Sequence, residues 1–120
     1  MEIQDRTLKF SIRIAKFVRL ISKDNSLHIL ANQLLRSATS IGANMREADS
    51  ASSRKDFINK VFIAKKEAQE TDYWLEVLKG AGFINNEENI NELNFLLSEG
   101  REIILILAAI LRKTKTLISN

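Results

Sequence analysis

Residues 27 to 48 read Leu27-His28-Ile29-Leu30-Ala31-Asn32-Gln33-Leu34-Leu35-Arg36-Ser37-Ala38-Thr39-Ser40-Ile41-Gly42-Ala43-Asn44-Met45-Arg46-Glu47-Ala48. Within them Leu27, Ala31, Leu34, Ala38, Ile41, Met45 and Ala48 recur in a 4-3-4-3 rhythm, which lines one face of an α-helix and defines a bundle seam. The second half, Arg36 to Ala48, keeps the helical pattern while being crowded with small and polar residues. Such a helix lets a neighbour approach closely. The pattern runs towards Asp49, where Ser50-Ala51-Ser52-Ser53 breaks it and supplies an N-cap for the next helix.

The same periodicity recurs on both sides. A first helix is expected from about Thr7 to Ser22, with Phe10, Ile14, Phe17, Val18 and Ile21 inward, followed by a turn at Lys23-Asp24-Asn25-Ser26. A third carries its core stripe at Phe57, Val61, Ala64, Ala68, Thr71, Leu75 and Leu78 and ends at Gly80-Ala81-Gly82, where glycine can take a left-handed cap. After a loop at Asn85-Asn86-Glu87-Glu88-Asn89, a fourth is expected from about Ile90 to Leu117, seamed by Leu93, Leu97, Gly100, Ile104, Leu107 and Leu111. Proline is absent and the four glycines are scattered, so nothing interrupts these helices. No sustained period of two appears, and short connections favour one all-α domain over residues 1–120, an up-down-up-down four-helix bundle.

Composition narrows the function. The 120 residues contain no cysteine, so disulfides and thiolate metal sites are excluded, and a reducing cytoplasm fits best. The acidic start Met1-Glu2-Ile3-Gln4-Asp5-Arg6 lacks the apolar core of a signal peptide. The longest apolar run, Ile103 to Leu111, is far short of the roughly 20 residues that span a bilayer, so no membrane partner is expected. Eighteen Lys and Arg against 15 Asp and Glu give a net charge of +3, which permits an anionic partner without demanding one.

Two features remain once the bundle core is filled. Helix 3 has a second stripe at Ile63, Glu67, Glu70, Trp74, Val77 and Ala81, about a quarter turn from its core, and the Ile103 to Leu111 run is apolar all round. Homo-oligomerisation is the simplest way to cover both; an irregular bundle that buries the run internally is the alternative. On helix 2, Ser40, Asn44 and Glu47 form a polar stripe beside the core, with Asn44 and Glu47 expected to find partners on a neighbouring helix.

Arg36, Arg46, Arg54, Lys55, Lys60, Lys65 and Lys66 bias the middle of the chain towards positive charge. They suit contact with RNA or DNA phosphates, or equally a solvated helix face with ion pairs such as Asp56 with Lys60. Glu67 and Glu70 beside Trp74 are better read as ion-pair partners of nearby Lys and Arg than as an acid-base pair. The single histidine, His28, has Asn25 three residues before it, so the Glu-x-x-His motif of a di-metal bundle is missing; no cofactor, metal or enzymatic activity is expected.

Three strings, Leu34 through Glu47, Ser53-Arg54-Lys55-Asp56-Phe57 and Ala64 through Glu70, resemble the four-helix bundle proteins named after the 23S rRNA intervening sequence, the S23 family. The resemblance extends from about Phe10 to Arg112. It implies a bacterial cytoplasmic protein forming a ring-like homopentamer, and makes Arg36, Ser40, Asn44, Glu47 and Glu70 the positions matching the family motif, with the last four serving packing or assembly. Relatives are encoded within rRNA genes or act as nucleic-acid-binding accessory proteins beside a reverse transcriptase, so a ribosomal component or a reverse transcriptase is an implied partner. Two departures stand out: Glu47-Ala48 where many members have Glu-Gly, and Lys66-Glu67 where many have Gly-Ser. The resulting expectation is a non-enzymatic oligomeric bundle that binds RNA, DNA or a ribonucleoprotein partner through Arg36, Arg46, Arg54, Lys55 and Lys60. A protein-interaction scaffold without nucleic-acid binding is the alternative.

Overall fold

Ser53 is extended (φ −158°, ψ 168°) and its hydroxyl accepts the backbone N–H of Asp56 at 3.0 Å, while the Asp56 carboxylate accepts from the backbone N–H of Ser52 at 3.2 Å. One donor that the first turn would leave orphaned is thereby satisfied, the residue ahead of the cap is tied to the same turn, and the chain reverses at the serine-rich break. Four helices result in this computed structural model: α1 (Glu2–Ile21), α2 (His28–Asp49), α3 (Arg54–Ala81) and α4 (Glu87–Ser119), with a 3-10 turn at Asn25–Leu27 leading into α2. The structure describes residues 2–23 and 25–119, with backbone alone over 116–119; Met1, Asn120 and Asp24 of the expected first turn lie outside the described residues.

Interhelical bonds fix the topology. Gln4 donates to the Met45 carbonyl and Ser11 to the Ala38 carbonyl, so α2 runs back along α1. Lys60 meets Glu47 while Thr71 meets Ser37, reversing α3 against α2. Arg101 bonds Asp72 and Glu76, and Arg6 and Arg13 reach Glu99 and Glu92, which sets α4 antiparallel to both α3 and α1. This is the up-down-up-down bundle, measuring 51 × 21 × 20 Å. The 33 residues of α4, at roughly 1.5 Å each, account for its long axis.

The seven seam residues of α2, the five core residues expected of α1, and six of the seven in α3 are buried; Phe57 is half-buried. Three expectations need correcting. Helix α1 begins at Glu2 rather than Thr7, because Ile3 and Thr7 continue its buried stripe and Gln4 is bonded to α2. Helix α4 begins at Glu87 rather than Ile90: the Asn86 side chain accepts the Asn89 N–H, and Glu87 and Glu88 suit the positive end of the helix dipole. In α4 the buried residues are Leu93, Leu96, Leu97, Gly100, Ile103, Leu107 and Leu111, with Ile104 only half-buried, since this helix packs on α1 and α3 together and its seam is broader than one stripe. Gly82 ends α3 as expected, with φ of 71° and its N–H on the Lys79 carbonyl.

Along the α1–α4 seam Arg6 binds Glu99 through two bonds of 2.7 and 2.8 Å and Arg13 binds Glu92 at 2.6 and 2.9 Å, with the Arg13 guanidinium 3.7 Å from the Phe95 ring centroid. Hydrogen bonding to Arg6 holds the Glu99 carboxyl below the usual carboxylate range, against an opposing push from burial. A lowered carboxyl contributes stability above its unfolded pKa, near 4.3, and loses it as pH falls through the lower folded value. Wild-type chain is therefore expected to lose stability below about pH 4. In Glu99→Gln this component of the acid slope should disappear, as read by denaturant titrations across pH 2–7.

A Cβ on Gly42 would sit 3.5 Å from both Ser11 Oγ and the Thr7 carbonyl oxygen, ordinary contact distances. Gly42→Ala should thus raise helix stability by roughly 0.5–1 kcal/mol. A lowered thermal midpoint would show that α1 and α2 approach too closely for a methyl group.

Candidate functional site

Arg36, Ser40, Asn44 and Glu47 succeed one another at four, four and three residues and so share the flank of α2 that faces α3. Across the groove stand Lys60, Glu67, Glu70 and Trp74 of α3. Arg36 donates through Nη1 to Glu67 Oε2 at 3.1 Å and through Nη2 to Glu70 Oε2, with Nε on Gln33. Lys60 donates to Glu47 at 2.9 Å, and this bond holds its ammonium above the ordinary lysine value. Glu47 thus finds the cross-helix partner expected of it. Asn44 does not: its amide donates to the Ser40 carbonyl one turn back at 2.8 Å, and Ser40 donates to the Arg36 carbonyl at 2.8 Å. Small polar side chains here close on their own helix because the carbonyl one turn earlier is the nearest acceptor.

Beneath this layer, buried Thr71 donates to Ser37 Oγ at 2.9 Å, and Ser37 donates to the Leu34 carbonyl at 3.1 Å. Two hydroxyls are thereby satisfied inside an otherwise apolar seam. The Trp74 indole N–H is buried without a hydrogen-bond partner among the described residues. Of the two departures from the family pattern, Glu67 takes half of Arg36, Lys66 is exposed 5.7 Å from the Phe62 ring centroid, and Ala48 is buried in the seam.

The candidate cations fall into two groups. Arg36 and Lys60 are held by carboxylates, whereas Arg46, Arg54 and Lys55 are exposed and form no ion pair among the described residues. The expected Asp56–Lys60 pair is not formed, since Asp56 caps α3 and Lys60 turns to Glu47. The three unpaired cations lie at one end of the bundle, on either side of the α2–α3 turn. The carboxy-terminal end of α4 arrives there too: Phe57 shares a groove with Ile106 and Ile110, and Arg112, Lys113 and Lys115 follow. That convergence of two distant segments has no local signal in the sequence. Arg46 also borders an open groove of about 470 Å³ between α1 and α2, lined by Gln4, Leu8, Ser11, Thr39 and Gly42. Among the described residues no cluster of His, Asp and Glu could hold a metal ion.

A family profile described as 23S rRNA-intervening sequence protein matches residues 1–105. A solved structure, a protein with unknown function from the S23 ribosomal protein family of Bacteroides thetaiotaomicron VPI-5482, is 40% identical and superposes with a TM-score of 0.82, covering 91% of this chain and 97% of that one. Comparison with curated proteins gave no match.

Removing Arg36 leaves Glu67 and Glu70 one helical turn apart without their cation. Arg36→Ala should cost at most about 1 kcal/mol, since the guanidinium is nearly half exposed. The loss should shrink when Glu70→Gln is added. A double-mutant cycle by urea unfolding reads the coupling; additive effects would show the pair contributes nothing.

Proposed function

The chain belongs to the 23S rRNA-intervening sequence protein family, and from that premise we propose that it is a non-enzymatic, ring-like homo-oligomeric bundle that binds RNA through one end. The observation that carries the reading is the group Arg46, Arg54 and Lys55, exposed and without an ion pair among the described residues, while Arg6, Arg13, Arg36, Lys60 and Arg101 are all paired. Unpaired cations are the ones able to replace condensed counterions on a phosphate backbone. The carboxy-terminal end of α4 adds Lys113 on the same side. Arg36 and Lys60 act in this reading as helix clasps that orient the end, and Ser40, Asn44, Glu47 and Glu70 as its packing frame. A ribosomal component, or a reverse transcriptase complex, is the partner class that goes with it, in the cytoplasm; no described helix is long and apolar enough to cross a membrane.

Assembly is supported by α4. Ile103, Leu107 and Leu111 face the core, but Leu105 is 68% exposed, Ala109 is exposed, and Ile106 and Ile110 are half-covered. A contiguous apolar strip of this kind is rare on a monomer. A ring of copies, five by the family resemblance, would bury it and repeat the basic ends around one rim.

Binding of a labelled structured RNA should weaken steeply with salt, and the triple change Arg46→Glu, Arg54→Glu, Lys55→Glu should abolish it while sedimentation still reports the oligomer. Undetectable binding of wild-type chain at low salt would refute the RNA reading and leave an assembly scaffold, and a monodisperse monomer at micromolar concentration would refute the ring.

A further inference from the structure

Lys55, Phe62, Lys66 and Tyr73 follow one another along α3 at seven, four and seven residues, so they share one outer face, and all four are exposed. Phe62 is 45% and Tyr73 60% exposed, and both lie off the buried stripe of α3. Asn59 and Gln69, also exposed, lie between them.

The charge on this face is one-sided for a structural reason. Helix α3 has five carboxylates, and each is engaged elsewhere: Asp56 in the amino-terminal cap, Glu67 and Glu70 by Arg36, Asp72 and Glu76 by Arg101. Among the described residues Lys55 and Lys66 form no ion pair, and the Lys66 ammonium stands beside the Phe62 ring. Eleven residues separate the two rings, about 16 Å along the axis, which matches roughly five steps of a stacked strand at 3.4 Å each.

We propose that this outer face of α3 is a single-stranded RNA track, with bases stacking on Phe62 and Tyr73 and the phosphates following Lys55 and Lys66. The proposal rests on the RNA-binding reading above and adds its strand preference and path. Phe62 stands beside Lys66 and Tyr73 meets half-buried Trp74 edge-on at 5.2 Å between ring centroids, so the two rings do not join into the contiguous apolar patch that a protein partner needs, whereas each exposed ring serves as a stacking platform. A duplex cannot use these platforms, because its base faces are already stacked on one another. Asn59 and Gln69 supply neutral donors and acceptors along the same path.

The test uses the full chain in its assembled form with a fluorescein-labelled 12-nucleotide oligoadenylate, the matching RNA duplex and the corresponding single-stranded DNA. Phe62→Ala and Tyr73→Ala should each weaken single-strand binding by about fivefold or more, while duplex binding stays within about twofold and sedimentation is unchanged. Phe62→Tyr and Tyr73→Phe, which keep the stacking surface, should retain wild-type affinity. Alanine variants that bind the single strand normally, while the Arg46, Arg54, Lys55 triple change still abolishes binding, would overturn the track and leave RNA binding at the bundle end standing. Preference for DNA, or dissociation of the oligomer by either alanine change, would overturn it in favour of a DNA path or a subunit interface. If wild-type chain binds none of the three probes, the RNA reading itself fails and the track with it.

Discussion

Helices α2 and α3 both carry small buried side chains, Ala31, Ser37, Ala38 and Ala48 on one and Ala64, Ala68 and Thr71 on the other, and Ser37 and Thr71 are hydrogen-bonded across their seam. Close packing at this seam is the constraint from which the rest follows. With little side-chain volume to separate them, the two helices bring Arg36 within reach of both Glu67 and Glu70, and Lys60 within reach of Glu47. Larger residues on this flank would leave the same charges reaching only water. Helices α1 and α4 then cover the remaining sides with larger residues, Phe10 and Phe17 from one and a succession of Leu and Ile from the other.

That seam also sorts the charges. Carboxylates of α3 are drawn to arginines on both neighbouring helices, and those of α4 to Arg6 and Arg13 of α1. Among the described residues, the cations without an ion pair include Arg46, Arg54 and Lys55 at one end of the bundle and Lys66 on the outer face of α3. A net charge of only +3 therefore yields local surfaces of one sign. The sum of charges says little about such a protein; the pairing pattern says where an anion could lie.

Legibility in the sequence followed the physics of each feature. The 4-3-4-3 repeat from Leu27 to Ala48 and the Phe57 to Leu78 stripe depend only on helical period, and the structure buries them nearly residue for residue. Helix ends were less legible. Glu87, Glu88 and Asn89 read as loop although Asn86 caps a helix that already includes them, and Glu2 to Arg6 carry no periodic signal long enough to announce a helix although Ile3 continues the buried stripe. Of the candidate residues, Glu47 and Lys60 could be named but not joined, since nearby Asp56 offered an equally good partner until the cap claimed it. Phe62 and Tyr73 carried a signal, their common face at eleven residues, yet their exposure depends on where α2 and α4 pack, and spacing within α3 does not contain that.

The α1–α4 seam differs from the other three in one respect. Helices α1 and α2, α2 and α3, and α3 and α4 are joined by short turns, whereas Arg6 to Glu99 and Arg13 to Glu92 link residues 93 and 79 positions apart. Arg6 and Arg13 are separated by seven residues, as are Glu92 and Glu99, so both pairs form together in only one antiparallel alignment. Closing the bundle therefore requires the longest loop in the chain, whose entropy cost grows only slowly with length. The three turns can zip through local contacts on the fast timescale typical of helical hairpins, and the final docking of α1 on α4 is the step at which two doubly bonded arginines check the register.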